Sequence, residues 1–243
     1  MDTQPSHARH SSVWPGLRLV TAVLISAAIL AQLSRTIETA AASQTPHGSH
    51  LPTVVGNFFS YFTIQSNVAA AVALAVGSLW AWRRGNTPEP RWLTVLLACT
   101  STYMIVTGLV YNLLLRGVVL PDGTTVPWSN EVLHVVGPLV MLADLLWSPG
   151  RRVLPWRAIG VVLVFPILWV LYTLARANLV TSPMSSAPWW YPYPFLDPHV
   201  VPSGYTGVAG YITGIAVVIC AVAAFVVWVG RRESPRVDRV RHR

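Results

Sequence analysis

The chain of 243 residues is 53% hydrophobic and only 11% charged, against about 25% charged in soluble domains, which excludes an ordinary soluble protein and points to an integral membrane protein. Its formal charge of +8 rests on 17 basic residues, all arginine and mostly set in short blocks between apolar runs. That is the pattern of an orientation signal rather than of a surface that tracks phosphates, so nucleic acid is excluded as a partner. Cys99 and Cys220 lie inside apolar runs without metal-type spacing, which removes a disulfide framework and a zinc site.

Residues 1–15 are polar and lack apolar periodicity, and they read as a mobile tail. Gly16 to Gln32 is the first apolar run. A cleaved secretory signal is the alternative, but the run is of span length and the small residues Ala40, Ala41 and Ala42 lie far beyond its end, so it reads as the first span. Ser34 to Val55 reads as a loop carrying His47 and His50. No carboxylate or thiol nearby completes a metal site with them.

Gly56 to Trp82 reads as the second span, and its first half carries Ser60, Thr63, Gln65, Ser66 and Asn67. Polar side chains in a membrane helix are costly unless they face protein or a wet cavity. Gly56, Ser60, Thr63, Asn67, Ala70 and Leu74 recur at steps of three and four, so one small and polar stripe is expected to face the bundle. The Gly/Pro turn RRGNTPEPR leads to a third span, Trp92 to Leu115. A loop containing PDG precedes the fourth, Asn130 to Trp147, with Glu131, His134 and Asp144 inside it or at its edge. The fifth is Ala158 to Ala175. Asn178 to Gly204 is a long loop with the interfacial composition PWWYPYPFLDPHVVP, Tyr205 to Val229 is the sixth span, and residues 231–243 form a basic tail.

Residues 16–230 thus make an all-α integral membrane domain of six transmembrane helices. Fourteen of the seventeen arginines fall on one side of these spans and Arg35, Arg116 and Arg176 on the other. Arginine-rich short loops stay cytoplasmic, so both termini are expected inside and the long loops outside.

At 1.5 Å per residue, Thr63 lies about 10 Å along the second span, His134 about 6 Å into the fourth and Asn112 about 6 Å from the outer end of the third. Three crossings thus carry polar groups at a shared depth. Pro138 cannot give an N–H to the carbonyl of His134, and with Gly137 before it a bend is expected beside that imidazole, a candidate proton acceptor. Asn130 and Glu131 lie one turn back on the same face and are candidates to fix its tautomer. Structural roles stand beside these: a helix cap for Asn130, a bond to the preceding turn for Thr63, a helix bridge for His134. Asp144, about 15 Å from His134 along the helix, is too far to orient it. It reads as the partner of a polar group in the bundle or as a proton site.

The motifs YFTIQSN (61–67), NEVLH (130–134) followed by Pro138 and Asp144, and YPFLDP (193–198) resemble the androgen-induced membrane protein family, in its bacterial branch. The resemblance runs from about Asn57 to Gly207. It implies a multi-span protein in which Thr63 is a nucleophile and His134 its base, cleaving lipid esters such as fatty acid esters of hydroxy fatty acids. The leading expectation is therefore a lipid-ester hydrolase of the cell membrane, without metal or organic cofactor, whose substrate enters from the bilayer. Asn67 or Asn112 is the expected oxyanion donor. Two rivals remain: a non-enzymatic lipid-binding or transport protein using the same pocket, and a structural subunit whose polar stripe is a helix interface.

Overall fold

In a computed structural model that describes residues 7–85, 87–118 and 123–232, the chain is all-α among the described residues, and six helical stretches are long and apolar enough to cross a membrane. This is a multi-pass membrane protein, whose helices satisfy their own backbone groups where no water can. The first helix, α1 (His7–Ala41), is longer than its apolar run at both ends. Residues 7–15, expected in a mobile tail, are its opening turns, fastened to the second crossing by the Ser78 hydroxyl, which donates to the Pro15 carbonyl at 2.7 Å. Residues 1–6 of that tail and 233–243 of the basic tail lie outside the described residues.

The expected single helix from Gly56 to Trp82 is two helices, α2 (Leu51–Ser60) and α3 (Phe62–Arg84), separated by an extended Tyr61 with φ −66° and ψ 130°. No proline or glycine marks the break. Its cause is competition for the backbone: the Phe59 carbonyl accepts from the Gln65 side chain at 2.7 Å, the Ser60 carbonyl from the Trp169 indole at 3.0 Å, and the Thr63 N–H goes to the Tyr193 phenol at 3.1 Å. Each would otherwise serve the continuous i to i−4 ladder. The expected stripe is therefore interrupted, but from Thr63 onward it holds: Thr63, Asn67, Ala70 and Leu74 are all buried.

The third crossing is α4 (Arg91–Val110), extended by a π-helical turn over Tyr111–Leu115. The fourth is built of α5 (Pro127–Glu131), a π-helical turn over Val132–Val136, and α6 (Gly137–Trp147). Pro138 has no N–H for His134, and the chain answers by widening: the Gly137 N–H reaches the Val132 carbonyl, five residues back. The fifth and sixth crossings are α7 (Ala158–Ala177) and α8 (Tyr205–Arg232). Helix α4 is the hub, packed on α3, α6, α7 and α8. Its buried Thr100, Ser101, Thr102 and Thr107 and its Gly108 allow close approach. A Cβ at Gly108 would stand 3.0 Å from the Pro138 ring, so a larger residue there would push the α4–α6 crossing apart by a few tenths of an ångström.

One end of the bundle is held by ions. Arg18 of α1 donates from Nε and a terminal nitrogen to both oxygens of Asp144 (2.7 and 3.2 Å), from the other terminal nitrogen to Glu89 (2.7 Å), and to Ser148 (2.9 Å). Arg151 also donates to Asp144. All these side chains are buried, so two cations and two anions neutralise one another away from water. Asp144 thus has the polar partners expected of it, supplied by α1 and by the loop after α6. Arg231, at the end of α8, donates to the Leu154 carbonyl at 3.2 Å. Both described ends of the chain therefore reach the arginine-rich face.

Candidate functional site

At the opposite end, the loop 178–204 folds back over α2, α3, α7 and α8. The Trp190 N–H bonds the Ala177 carbonyl at 2.9 Å, and Pro194–Leu196 forms a single 3-10 turn. Tyr193, Phe195 and Leu196 are thereby buried against Tyr61, Phe62, Trp169 and the start of α8. The Tyr193 ring lies parallel to Phe195, 5.2 Å between centroids, and edge-on to Tyr61. Its hydroxyl reaches the first turn of α3.

That first turn is open because Tyr61 provides no side-chain cap. A helix N-terminus leaves N–H groups without intrahelical partners and carries a partial positive charge. Here the cap comes from 130 residues away: the Tyr193 phenol accepts from the Thr63 N–H at 3.1 Å and lies 3.2 Å from the Thr63 hydroxyl. The Phe62 N–H faces it as well. Burial pushes the Tyr193 phenol above its ordinary range, and the N–H and hydroxyl groups around it offset only part of that rise. It remains a protonated donor.

Thr63 and Tyr193 sit in the wall of a cavity of about 160 Å³ between α3, α4, α7 and α8. The remaining wall is almost wholly apolar, with Thr107 and Tyr111 the other hydroxyl-bearing residues in it. Ile167, which is 53% exposed, is part of the wall, so the cavity reaches the flank of the bundle. Beside it, between α4 and α8, lies a groove of about 610 Å³ floored by Gly207, Gly210 and Gly214; the two hollows share Val110 and Ile215.

His134 is not in the cavity wall. Its ring stacks on Tyr111, centroids 4.0 Å apart and planes 24° from parallel, and Tyr111 stands in the wall. Nδ1 of His134 lies 2.9 Å from the Asn130 carbonyl, which can only accept. In the neutral ring the proton is therefore on Nδ1, and Nε2 presents a lone pair. No hydrogen bond joins Thr63 to His134 among the described residues. They are nonetheless neighbours through the backbone: the Asn67 amide donates to the Thr63 carbonyl at 2.9 Å and to the Leu133 carbonyl at 3.1 Å.

The other expected site residues separate accordingly. Asn67 has spent both amide N–H groups on those carbonyls, so it is not a free oxyanion donor; its own Oδ1 is buried without a partner among the described residues. Asn112 is exposed, donates to Gly108 and accepts from Arg116, and does not line the cavity. Asn130 meets His134 through its carbonyl, while its side chain donates to the Tyr111 hydroxyl. Glu131 turns away, to an exposed pair with Arg116 at 3.1 Å. Tyr193 and Tyr111 were missed by sequence reasoning. The signals for Tyr193 were the density of aromatics and prolines in its loop and its place at the head of YPFLDP, neither of which gave it a role. No protein-family model matches the chain, and no curated protein and no solved structure is found similar to it.

Proposed function

We propose that the protein is a hydrolase of the cell membrane that cleaves a lipid ester, with the arginine-rich face in the cytoplasm. The supporting observation is the Thr63 hydroxyl, set at the N-terminus of α3 in the wall of a largely apolar cavity that reaches the flank of the bundle. An engineered apolar cavity of about 150 Å³ accommodates a benzene ring. A space of about 160 Å³ therefore takes a short length of acyl chain beside the ester, and the rest of the chain runs out along the groove between α4 and α8.

Thr63 Oγ1 attacks the ester carbonyl carbon, and its proton passes to Nε2 of His134 after a side-chain rotation, since the imidazole stands outside the cavity wall. The tetrahedral adduct collapses, the bond to the alcohol oxygen breaks, and the alcohol leaves with the proton held by His134. Water then attacks the Thr63 ester, giving its proton to His134, and the fatty acid departs while Thr63 Oγ1 recovers a proton. The likeness of YFTIQSN and NEVLH to the androgen-induced membrane proteins supports the same assignment. The test is purified full-length protein in detergent, exposed to an alkyl fluorophosphonate and to a medium-chain nitrophenyl ester. Labelling on the Thr63 peptide and turnover are expected, with both lost in Thr63→Ala; labelling that persists in Thr63→Ala rejects the assignment.

One observation favours a second reading: the Thr63 hydroxyl is bonded to Tyr193 and not to His134. On that reading the cavity holds a lipid chain without cleaving it. It predicts saturable binding of a fatty acid with no ester turnover.

A further inference from the structure

We propose that Tyr193 is a further catalytic residue, the hydrogen-bond donor that stabilises the negative charge on the ester oxygen when Thr63 attacks. This rests on the hydrolase reading above. The observation is positional: one phenol oxygen, carried into the bundle by the loop 178–204, lies 3.1 Å from the Thr63 N–H and 3.2 Å from the Thr63 hydroxyl in the cavity wall.

The direction of each bond follows from the chemistry of the groups. A backbone N–H only donates, so the phenol oxygen accepts from Thr63 and its own proton is free to be given. Of the two hydroxyls the phenol is the stronger acid, so at rest it donates to Thr63 Oγ1. That bond holds the phenol proton beside the atom that will attack. It is also polarised, because its oxygen receives N–H groups at the positive end of α3. As Oγ1 bonds to the ester carbon, the carbonyl electron pair moves onto oxygen. Oγ1 no longer needs the phenol proton, and the bond transfers to the new oxyanion. Tyr193 keeps its proton throughout; the Thr63 proton goes to His134, and no further reactant is required.

The expected oxyanion donors, Asn67 and Asn112, are the one committed to two carbonyls and the other exposed outside the cavity. With the Thr63 and Phe62 N–H groups taken up by its oxygen, Tyr193 is the donor that remains at Thr63. The ring is fixed by Phe195, Tyr61 and Trp169, so the hydroxyl can be removed without removing the packing.

The experiment uses purified full-length protein, a medium-chain nitrophenyl ester and an alkyl fluorophosphonate. Tyr193→Phe is expected to lower kcat by about a hundredfold or more, the usual loss for one such donor, with KM changed less than about threefold and the unfolding temperature lowered, because the Thr63 N–H loses its cap. Replacing Tyr193 with a fluorinated tyrosine, whose phenol is more acidic, is expected to move the alkaline limb of the kcat profile to lower pH, which a purely packing role would not do. It also serves if Tyr193→Phe fails to fold. Turnover in Tyr193→Phe within about twofold of the parent, or an unmoved alkaline limb, with labelling still dependent on Thr63, overturns the role of Tyr193 alone. Absence of Thr63-dependent labelling in the parent protein overturns both readings.

Discussion

Tyr111 stacks on His134 with ring centroids 4.0 Å apart, and the contact joins two π-helical turns on neighbouring crossings. Tyr111 opens the widened turn of α4, and His134 is the middle residue of the widened turn before α6. Such turns are rare and recur at functional sites because they re-aim side chains out of helical register. Here the re-aimed groups are an imidazole and the aromatic ring that separates it from the cavity.

A stacked pair of this kind contributes about 0.5–1.5 kcal/mol beyond burial, up to roughly tenfold in the population of one ring orientation. Tyr111→Phe keeps the stack and loses only the acceptor for Asn130, so ester turnover is expected within about threefold of the parent. Tyr111→Leu releases the imidazole, and turnover is expected to fall roughly tenfold. Equal rates for the two variants would show that the stack does not set the position of His134.

The Asn67 amide serves two carbonyls on different crossings. Asn67→Ala takes the side-chain donor from the buried Leu133 carbonyl, at about 1–3 kcal/mol, while the Thr63 carbonyl keeps the Ser66 hydroxyl at 3.0 Å. Asn67→Asp sets a buried carboxylate against the same two carbonyls and is expected to be the more destabilising, although it is the closer in shape. Thermal unfolding of the two variants in one detergent decides the order.

At the ion cluster, removing one partner strands a buried charge. Arg18→Met and Asp144→Leu are each expected to cost about 3–5 kcal/mol. The double variant removes the Arg18–Asp144 pair as a unit, although Glu89 and Arg151 each lose a partner, and is expected to cost clearly less than the sum of the two. A double-variant cycle on unfolding in detergent gives the coupling, and strict additivity would mean that the pairing contributes nothing to stability.

The pH dependence of stability follows from Tyr193. Its folded pKa is raised above the ordinary value of 10.0 because burial penalises phenolate. Between the unfolded and folded values the native state holds the extra proton, so stability is constant below about pH 10 and falls as pH rises beyond it. Unfolding temperatures between neutral pH and about pH 11 are expected to show that fall, diminished in Tyr193→Phe. An identical alkaline fall in both proteins would assign it to other groups.

The six crossings were legible because bilayer thickness imposes a length on apolar runs that no tertiary detail can hide. The polar stripe from Thr63 to Leu74 was legible for a similar reason, since polar groups must turn from lipid. The break at Tyr61 was not, because it depends on Trp169 and Tyr193 taking backbone groups from more than a hundred residues away. Pro138 announced a missing hydrogen bond, but whether a helix bends or widens depends on its neighbours, here the close approach of Gly108. Arg18 was read only as part of a charge count. Its partners Glu89 and Asp144 lie in a turn and on another crossing, and local sequence does not carry that geometry.

The ion cluster also bears on how the chain is made. Arg18 leaves the ribosome 71 residues ahead of Glu89 and 126 ahead of Asp144, so during synthesis the first crossing enters the bilayer with a guanidinium whose carboxylate partners do not yet exist, and the set is complete only with the fourth. An unpaired arginine in hydrocarbon is held near the interface by its hydration. The first crossing can therefore settle to its final depth only after the fourth has been inserted, and a nascent chain cut short before Asp144 would present the translocation machinery and membrane proteases with a loosely seated, recognisably unfinished helix.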